Sequence, residues 1–169
     1  MRPGPAMERY LDKVASRVLA TNGSSVLEIG SGPGWDAEYL QAQGVVVHRT
    51  DGARAFVDRL GANGHDARPL DVRTGDLGGP HAAIIANAVL VHLDRQQFAD
   101  LIPRVRDPLV AGGCFAFTFK EGDGHAWAAD KLTGPRSFTY WTEPGVRSGL
   151  EGSGMSLVDA NQWDGQRDT

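Results

Sequence analysis

Apolar residues along this chain alternate between two spacings, short continuous runs and three-to-four residue repeats, and the alternation itself predicts the architecture. From Ala6 to Ala20 the residues Tyr10, Leu11, Val14, Val18 and Leu19 fall on one side at helical spacing, with Asn22-Gly23 as the stop. Val26-Leu27-Glu28-Ile29 is a buried strand that runs straight into the glycine turn Gly30-Ser31-Gly32-Pro33-Gly34. Residues Trp35 to Gln43 predict a helix closed by Gly44, followed by a short strand at Val45-Val46-Val47. Ala53, Phe56, Val57 and Leu60 recur at i, i+3, i+4 and i+7 and predict another helix, with Gly61 and Gly64 at its end. A brief strand at Ala67 to Leu70 and a loop at Gly75 to Pro80 precede Ala82-Ala83-Ile84-Ile85-Ala86, whose unbroken apolarity fits a central strand covered on both faces.

The second half continues the alternation. Asp94 and Gln97 form a capping pair for a helix that turns Phe98, Leu101, Ile102 and Val105 inward, with Pro103 predicting a kink and Gly112-Gly113 ending the segment. Cys114 to Phe119 is a fifth strand, Thr142 caps a short helix carrying Val146 and Leu150, and Met155 to Ala160 reads as a sixth strand after Gly152 or Gly154. Strands that alternate with helices imply one α/β domain over residues 1–169 with a doubly wound, mainly parallel sheet and helices on both faces. Within it, 1–23 is an N-terminal helix, 24–93 a first half that holds the glycine turn and 94–169 a second half.

Composition narrows the function. A 169-residue chain with ordinary globular composition buries roughly 70% of its unfolded surface. A net charge of −4 and the lack of any Lys/Arg run give extended nucleic-acid binding little electrostatic support, so small or neutral partners fit better. The single cysteine, Cys114, sits in an apolar run, which excludes an intrachain disulfide and fits a reducing, cytoplasmic setting. The first residues lack the apolar core of a signal peptide, and no stretch approaches the ~18 apolar residues of a membrane span. No His/Cys/carboxylate cluster has metal-ligand spacing, so no metal is expected.

Open α/β sheets bind ligands beyond the carboxyl ends of their strands. The residues there are Glu28 and the glycine turn after the first strand, Asp51 after the second, Asp71 and Val72 after the third, and Asn87 leading into Ala88-Val89-Leu90-Val91-His92-Leu93 after the fourth. Glycine at alternate turn positions removes Cβ atoms where a ligand must approach. A dinucleotide fingerprint needs its third glycine at the sixth place, which is Trp35 here, so a nicotinamide enzyme is disfavoured. Asp51 is placed either to accept bonds from two ribose hydroxyls or to cap the helix starting near Ala53, and Asp71 either to meet a base or to shape a turn. His92 is either a packed side chain or a proton acceptor, and His125, in the loop Gly122-Asp123-Gly124, is a second candidate base. Trp35, Trp127, Tyr140 and Trp141 are either core or pocket lining.

An acidic residue followed by G-x-G-x-G after an apolar strand, with acids at two later strand ends, resembles the class I S-adenosylmethionine-dependent methyltransferases over about residues 24 to 163. The resemblance implies that Gly30, Ser31, Gly32 and Gly34 lie against the methionine part of S-adenosylmethionine and that Glu28 helps hold its amino group. It likewise implies that Asp51 binds ribose, that Asp71 and Val72 recognise adenine, and that Asn87 and Ala88 complete the site. The expected reaction is methyl transfer by in-line displacement to a small molecule, since Asn87-Ala88-Val89-Leu90 stands where base-modifying relatives carry Asn-Pro-Pro-Tyr.

Two departures stand out. His81-Ala82 replaces a common aromatic-Asp pair at the fourth strand, and no segment reads as the family's last, antiparallel strand. The expected causes are a shortened natural chain, a truncated one, or a gap filled by another protomer, with an exposed sheet edge that favours homo-oligomers. They also motivate an alternative, a binding or regulatory subunit that keeps the fold without turnover.

Overall fold

The computed structural model describes residues 3–21, 25–128 and 136–163. The expected helix stop at Asn22-Gly23 lies outside them. Helix α1 (Pro5–Ala20) starts with Pro5 at its first position, where the missing N–H costs no helical bond, and buries Leu11, Val14, Ala15 and Val18. Strand β1 (Ser25–Ile29) leads through the glycine turn to α2 (Trp35–Ala42), and β2 (Val47–Asp51) leads to α3 (Arg54–Ala62) and the short β3 (Ala67–Pro69). Strand β4 (His81–Ala86) is buried at every position, as expected of a strand flanked on both edges and covered on both faces. A single 3-10 turn (Leu90–His92), α4 (Arg95–Arg106) and β5 (Leu109–Phe117) follow.

These five strands form one parallel sheet in the order β3-β2-β1-β4-β5. The order reverses direction between β1 and β4, which opens a crevice at their carboxyl ends. One face packs Val26, Ala83 and Ile85 against Leu11, Val14 and Val18 of α1 and Leu40 of α2. The other packs Leu27, Ile29, Ile84 and Ala86 against Phe98, Leu101, Ile102 and Val105 of α4 and Val146 and Leu150 of α5 (Glu143–Leu150). The sheet thus separates two cores, with helices on both faces as the sequence pattern requires.

Both expected caps form. Asp94 Oδ1 accepts from the Gln97 amide at 2.8 Å while Gln97 Oε1 accepts from the Asp94 amide at 3.0 Å, and Thr142 Oγ1 accepts from the Gly145 amide at 3.2 Å. Pro103 lies within α4, in the penultimate turn, without ending it.

Four boundaries differ from the expectation. The second strand starts at Val47 and includes Asp51, whereas Val45 and Val46 precede it and Val46 faces solvent. Val47 and the alternating residues after it take the ladder to β1, which apolarity alone did not mark. Gly112 and Gly113 lie inside β5 rather than before it, at an irregularity in the pairing: His81 stands opposite Leu109, but Ala83 stands opposite Cys114.

Phe56 and Val57 are not turned into the core. Among the buried residues of α3 only Leu60 remains, and Phe56 stands in the wall of a cleft at the carboxyl ends of the strands instead.

The fourth difference is the sixth strand. Residues 155–160 have no ladder pairing; Met155 and Leu157 point at the α4/α5 core, but the segment then leaves the sheet. Lys13 Nζ meets Asp159 Oδ2 at 2.7 Å and the Trp163 ring lies 6.3 Å from Tyr10, so this tail carries the chain round the β5 edge to α1 on the opposite face. In its place a small second sheet forms from β6 (Lys120–Glu121), β7 (His125–Ala128) and β8 (Arg136–Trp141), with β7 antiparallel and β6 parallel to β8. Trp141 roots it in the core, 4.8 Å from both Phe98 and Phe119. Among the described residues, no helix is long and apolar enough to cross a membrane.

Candidate functional site

A cleft of about 760 Å³ opens at the carboxyl ends of β1, β2, β3 and β4. That volume lies within the range of small-molecule and cofactor sites. Its walls include the turn residues Gly30, Ser31 and Gly32, then Asp36, Asp51, Asp71 and Val72, the segment Asn87-Ala88-Val89, and His92. Most of the residues that the sequence placed at strand ends therefore meet around one space.

The three glycines of the turn all have positive φ, at 73°, 51° and 90°, but for different reasons. A Cβ on Gly30 would sit 2.2 Å from Val89 Cγ2, so this glycine lets the loop after β4 close against the turn after β1. A Cβ on Gly34 would meet Leu60 Cδ2 at 2.8 Å; Gly34 packs against α3 and is not in the cleft wall. A Cβ on Gly32 would meet nothing within 4 Å. The bare backbone offered to a ligand is that of Gly32.

Asp51 is 7% exposed, at the end of β2. Its Oδ2 accepts from the Gly32 amide at 2.8 Å and its Oδ1 from the Ala53 amide at 2.7 Å. Ala53 itself is the N-cap of α3, so Asp51 braces the turn before the helix rather than capping it. Each carboxylate oxygen retains a second lone-pair direction for a hydroxyl donor.

Asp71 is exposed and doubly bonded to Arg73, whose guanidinium and backbone amide hold the carboxyl down at about 2. Arg104 of α4 fixes the loop behind it by donating to the carbonyls of Val72 and Arg73 at 2.8 Å, and to that of Gly75.

Glu28 does not reach the cleft. It is 3% exposed beneath the turn, its Oε2 has no hydrogen-bond partner among the described residues, and burial pushes its carboxyl up to about 7. Its position on β1 directs it, like Val26, toward the α1/α2 face, opposite Arg49 in the β1–β2 register.

Beside the turn, the carboxylate that does line the cleft is Asp36, in the first turn of α2, a residue the sequence pattern did not single out. Asn87 Nδ2 donates to its Oδ2 at 2.7 Å; Thr118 Oγ1 donates to Asn87 Oδ1 at 2.9 Å; and the Ala88 amide donates to Thr118 Oγ1 at 2.8 Å. Burial pushes the Asp36 carboxyl up from its ordinary value, opposed by the Asn87 bond. Ala88 holds φ at 56°, a strained conformation for a residue with a side chain. Only an Asx at the second position of a helix following a glycine turn, with a carboxamide at the end of β4, would have signalled this pairing.

The two candidate bases part company. His92 lines the cleft, its Nδ1 lies 3.1 Å from the Ser137 carbonyl, and its ring is 5.0 Å from Phe138. A carbonyl only accepts, so Nδ1 carries the proton and Nε2 is the accepting nitrogen of the neutral ring. His125 stands on β7 rather than in a loop, exposed, against the Trp127 ring at 5.7 Å, and is not in the cleft wall. Of the aromatics, Trp35 lines the cleft, Trp141 is core and Trp127 is 68% exposed. Tyr140 is half-buried and is not in the cleft wall.

The fold is that of the class I methyltransferases. It is similar to the CcbJ methyltransferase of Streptomyces caelestis, with a TM-score of 0.74 and 19% identity over 93% of this chain and 86% of that one. It is also similar to an amino pentose methyltransferase of Micromonospora echinaspora, solved with SAM bound, with a TM-score of 0.63 and 16% identity over 89% and 84% of the two chains. A third likeness is to the 1,6-didemethyltoxoflavin-N1-methyltransferase of Burkholderia thailandensis, with S-adenosylhomocysteine bound, at a TM-score of 0.64 and 21% identity over 91% and 71%. No protein-family model and no curated protein matches the sequence.

Proposed function

We propose that this protein is an S-adenosylmethionine-dependent methyltransferase acting on a small-molecule acceptor. The observation that carries the reading is the cleft in which the bare Gly32 backbone, the Asp51 carboxylate and the Asp36 carboxylate converge. These residues fit the cofactor: a side-chain-free turn admits its amino-acid tail, Asp51 faces the cleft with spare acceptor capacity for ribose hydroxyls, and the acids suit a cationic ligand. Val72 and Phe56 supply apolar wall beside Asp71 for the adenine ring. Bound there, S-adenosylmethionine would supply an electrophilic methyl group on a good leaving group.

The work left to the chain is then binding, alignment and exclusion of water, which contribute up to roughly 7 to 11 kcal/mol in favourable cases. Ser31, Asn87 and Ala88 position the ligand from two strand ends. His92, with Nδ1 held by the Ser137 carbonyl, presents Nε2 as the base for an acceptor that must lose a proton. The small-molecule acceptor is supported by the chemistry named for the similar structures, a sugar amine and a toxoflavin precursor.

The alternative of a subunit without turnover rests on the lacking last strand and on Ala82, and Ala82 lies at the start of β4, at the end away from the cleft. We infer a reducing, cytoplasmic setting from the free, half-buried Cys114, and no extended nucleic-acid binding from the charge.

Calorimetry with S-adenosylhomocysteine tests the cofactor reading. Binding by the wild type that weakens about 10-fold or more in Asp51→Ala is expected; no binding at saturating ligand overturns it. Transfer of labelled methyl to a panel of amines, phenols and carboxylates then tests turnover.

A further inference from the structure

Two carboxylates flank the glycine turn, and their surroundings are opposite in kind. Glu28 is sealed under the turn and is absent from the cleft wall, so it presents no carboxylate oxygen to the cleft. Asp36 lies in the cleft wall, with one oxygen, Oδ2, held by Asn87 and the other, Oδ1, without a partner among the described residues.

The hydrogen bonds behind Asp36 run in one direction. The Ala88 amide donates to Thr118, the Thr118 hydroxyl donates to the Asn87 carbonyl oxygen, and the Asn87 amino group donates to Asp36. Every hydroxyl and amide in the chain is thereby fixed, and the chain ends on an acceptor. No Lys or Arg forms an ion pair with Asp36 among the described residues. A carboxylate that is largely desolvated, oriented from behind and uncompensated by any protein cation is built to receive a cation from the ligand.

We propose that Asp36, and not Glu28, receives the ammonium of the cofactor's amino-acid tail, with Asn87 and Thr118 as positioning residues that aim its free oxygen. This rests on the reading of the cleft as an S-adenosyl site. Asn87 connects the end of β4 to the start of α2, while Thr118 connects it to the end of β5. The strained φ of Ala88 turns its amide onto Thr118 and so closes the chain.

The test compares two thioethers by calorimetry: S-adenosylhomocysteine, and its deaminated counterpart S-adenosyl-mercaptobutyrate, which lacks only the amino group. Neither carries a sulfonium, so a response to the amino group is not confused with one to the methyl-bearing sulfur. Wild type is expected to prefer the first by about 10- to 100-fold, and Asp36→Asn to lose that preference while binding the deaminated ligand within about threefold of wild type. Glu28→Gln is expected to keep the preference. Asn87→Ala is expected to reduce it several-fold, a ratio that general loosening of the cleft does not move because loosening weakens both ligands together.

A preference unchanged in Asp36→Asn, or one that collapses in Glu28→Gln, overturns the assignment. So does an equal loss of both ligands in Asp36→Asn. If that variant does not fold, an unchanged ratio in Asn87→Ala overturns it instead. Wild type that binds neither thioether refutes the cofactor reading itself, a distinguishable outcome.

Discussion

The Oδ2 of Asp51 accepts the amide hydrogen of Gly32 at 2.8 Å, which ties the end of β2 to the turn after β1. The bond holds the only turn glycine whose missing side chain leaves open space, so one carboxylate both shapes the cleft and faces it. Under the proposed function, structure and ligand recognition converge on the same side chain.

Replacing Asp51 with Ala is expected to remove the acceptor for both the Gly32 and Ala53 amides and to destabilise the protein by about 1 to 3 kcal/mol, measured by urea unfolding. Asp51→Asn retains one acceptor oxygen and should cost less. Equal, negligible losses in both variants would show that water satisfies these amides as well as the carboxylate does.

Gly30→Ala and Gly32→Ala separate packing from ligand access. In the first, the new methyl group collides with Val89 Cγ2 and the backbone is left-handed, so a loss of roughly 2 to 4 kcal/mol is expected. Pairing it with Val89→Ala should recover the clash but not the backbone strain. In Gly32→Ala only the backbone cost of about 1 to 2 kcal/mol applies, but affinity for S-adenosylhomocysteine should fall at least 10-fold, because the methyl group enters open cleft. Thermal melts with and without ligand distinguish the two.

Glu28 sets a pH dependence. Its carboxyl is raised by burial from 4.5 to about 7, with the neighbouring Asp36 charge adding to the rise. Between those values the folded protein holds a proton that the unfolded chain releases, so stability falls as pH rises from about 4.5 to about 7 and is level above. Glu28→Gln should flatten that fall and be more stable than wild type at pH 8 by roughly 2 to 3 kcal/mol. Asp36, shifted in the same direction, keeps a residual slope. Urea melts across this range check the sign; wild-type stability that rises with pH would contradict it.

His92→Ala is expected to lower turnover about 100-fold for an acceptor that must lose a proton and leave cofactor affinity within about threefold. An acceptor already unprotonated should lose far less. Steady-state rates over pH with the two kinds of acceptor make the comparison, and an equal loss for both would assign His92 to holding Ser137 and Phe138 instead.

What the sequence by itself determined is whatever rests on local periodicity and capping. The helices α1, α2, α4 and α5 and the Asp94 and Thr142 caps were readable because each depends on residues three or four apart, and the buried β4 because its apolar run is unbroken. The glycine turn and the acids at the strand ends were readable because strand order alone sends them to one side of a parallel sheet. The tertiary structure decided everything that depends on which face a side chain takes after the chain has packed. Two-residue alternation along β1 sends Glu28 under the turn, and the rotation of α2 brings Asp36 into the cleft, where Asn87 and Thr118 arrive from distant strands. Met155 and Leu157 alternate like a strand, yet their backbone finds no ladder, because the tail is drawn round β5 to Lys13 and Tyr10 on the far face. Hydrophobic spacing encodes burial, but it does not encode the partner of a backbone amide or the direction of a carboxylate, and those are fixed only when separate strand ends meet.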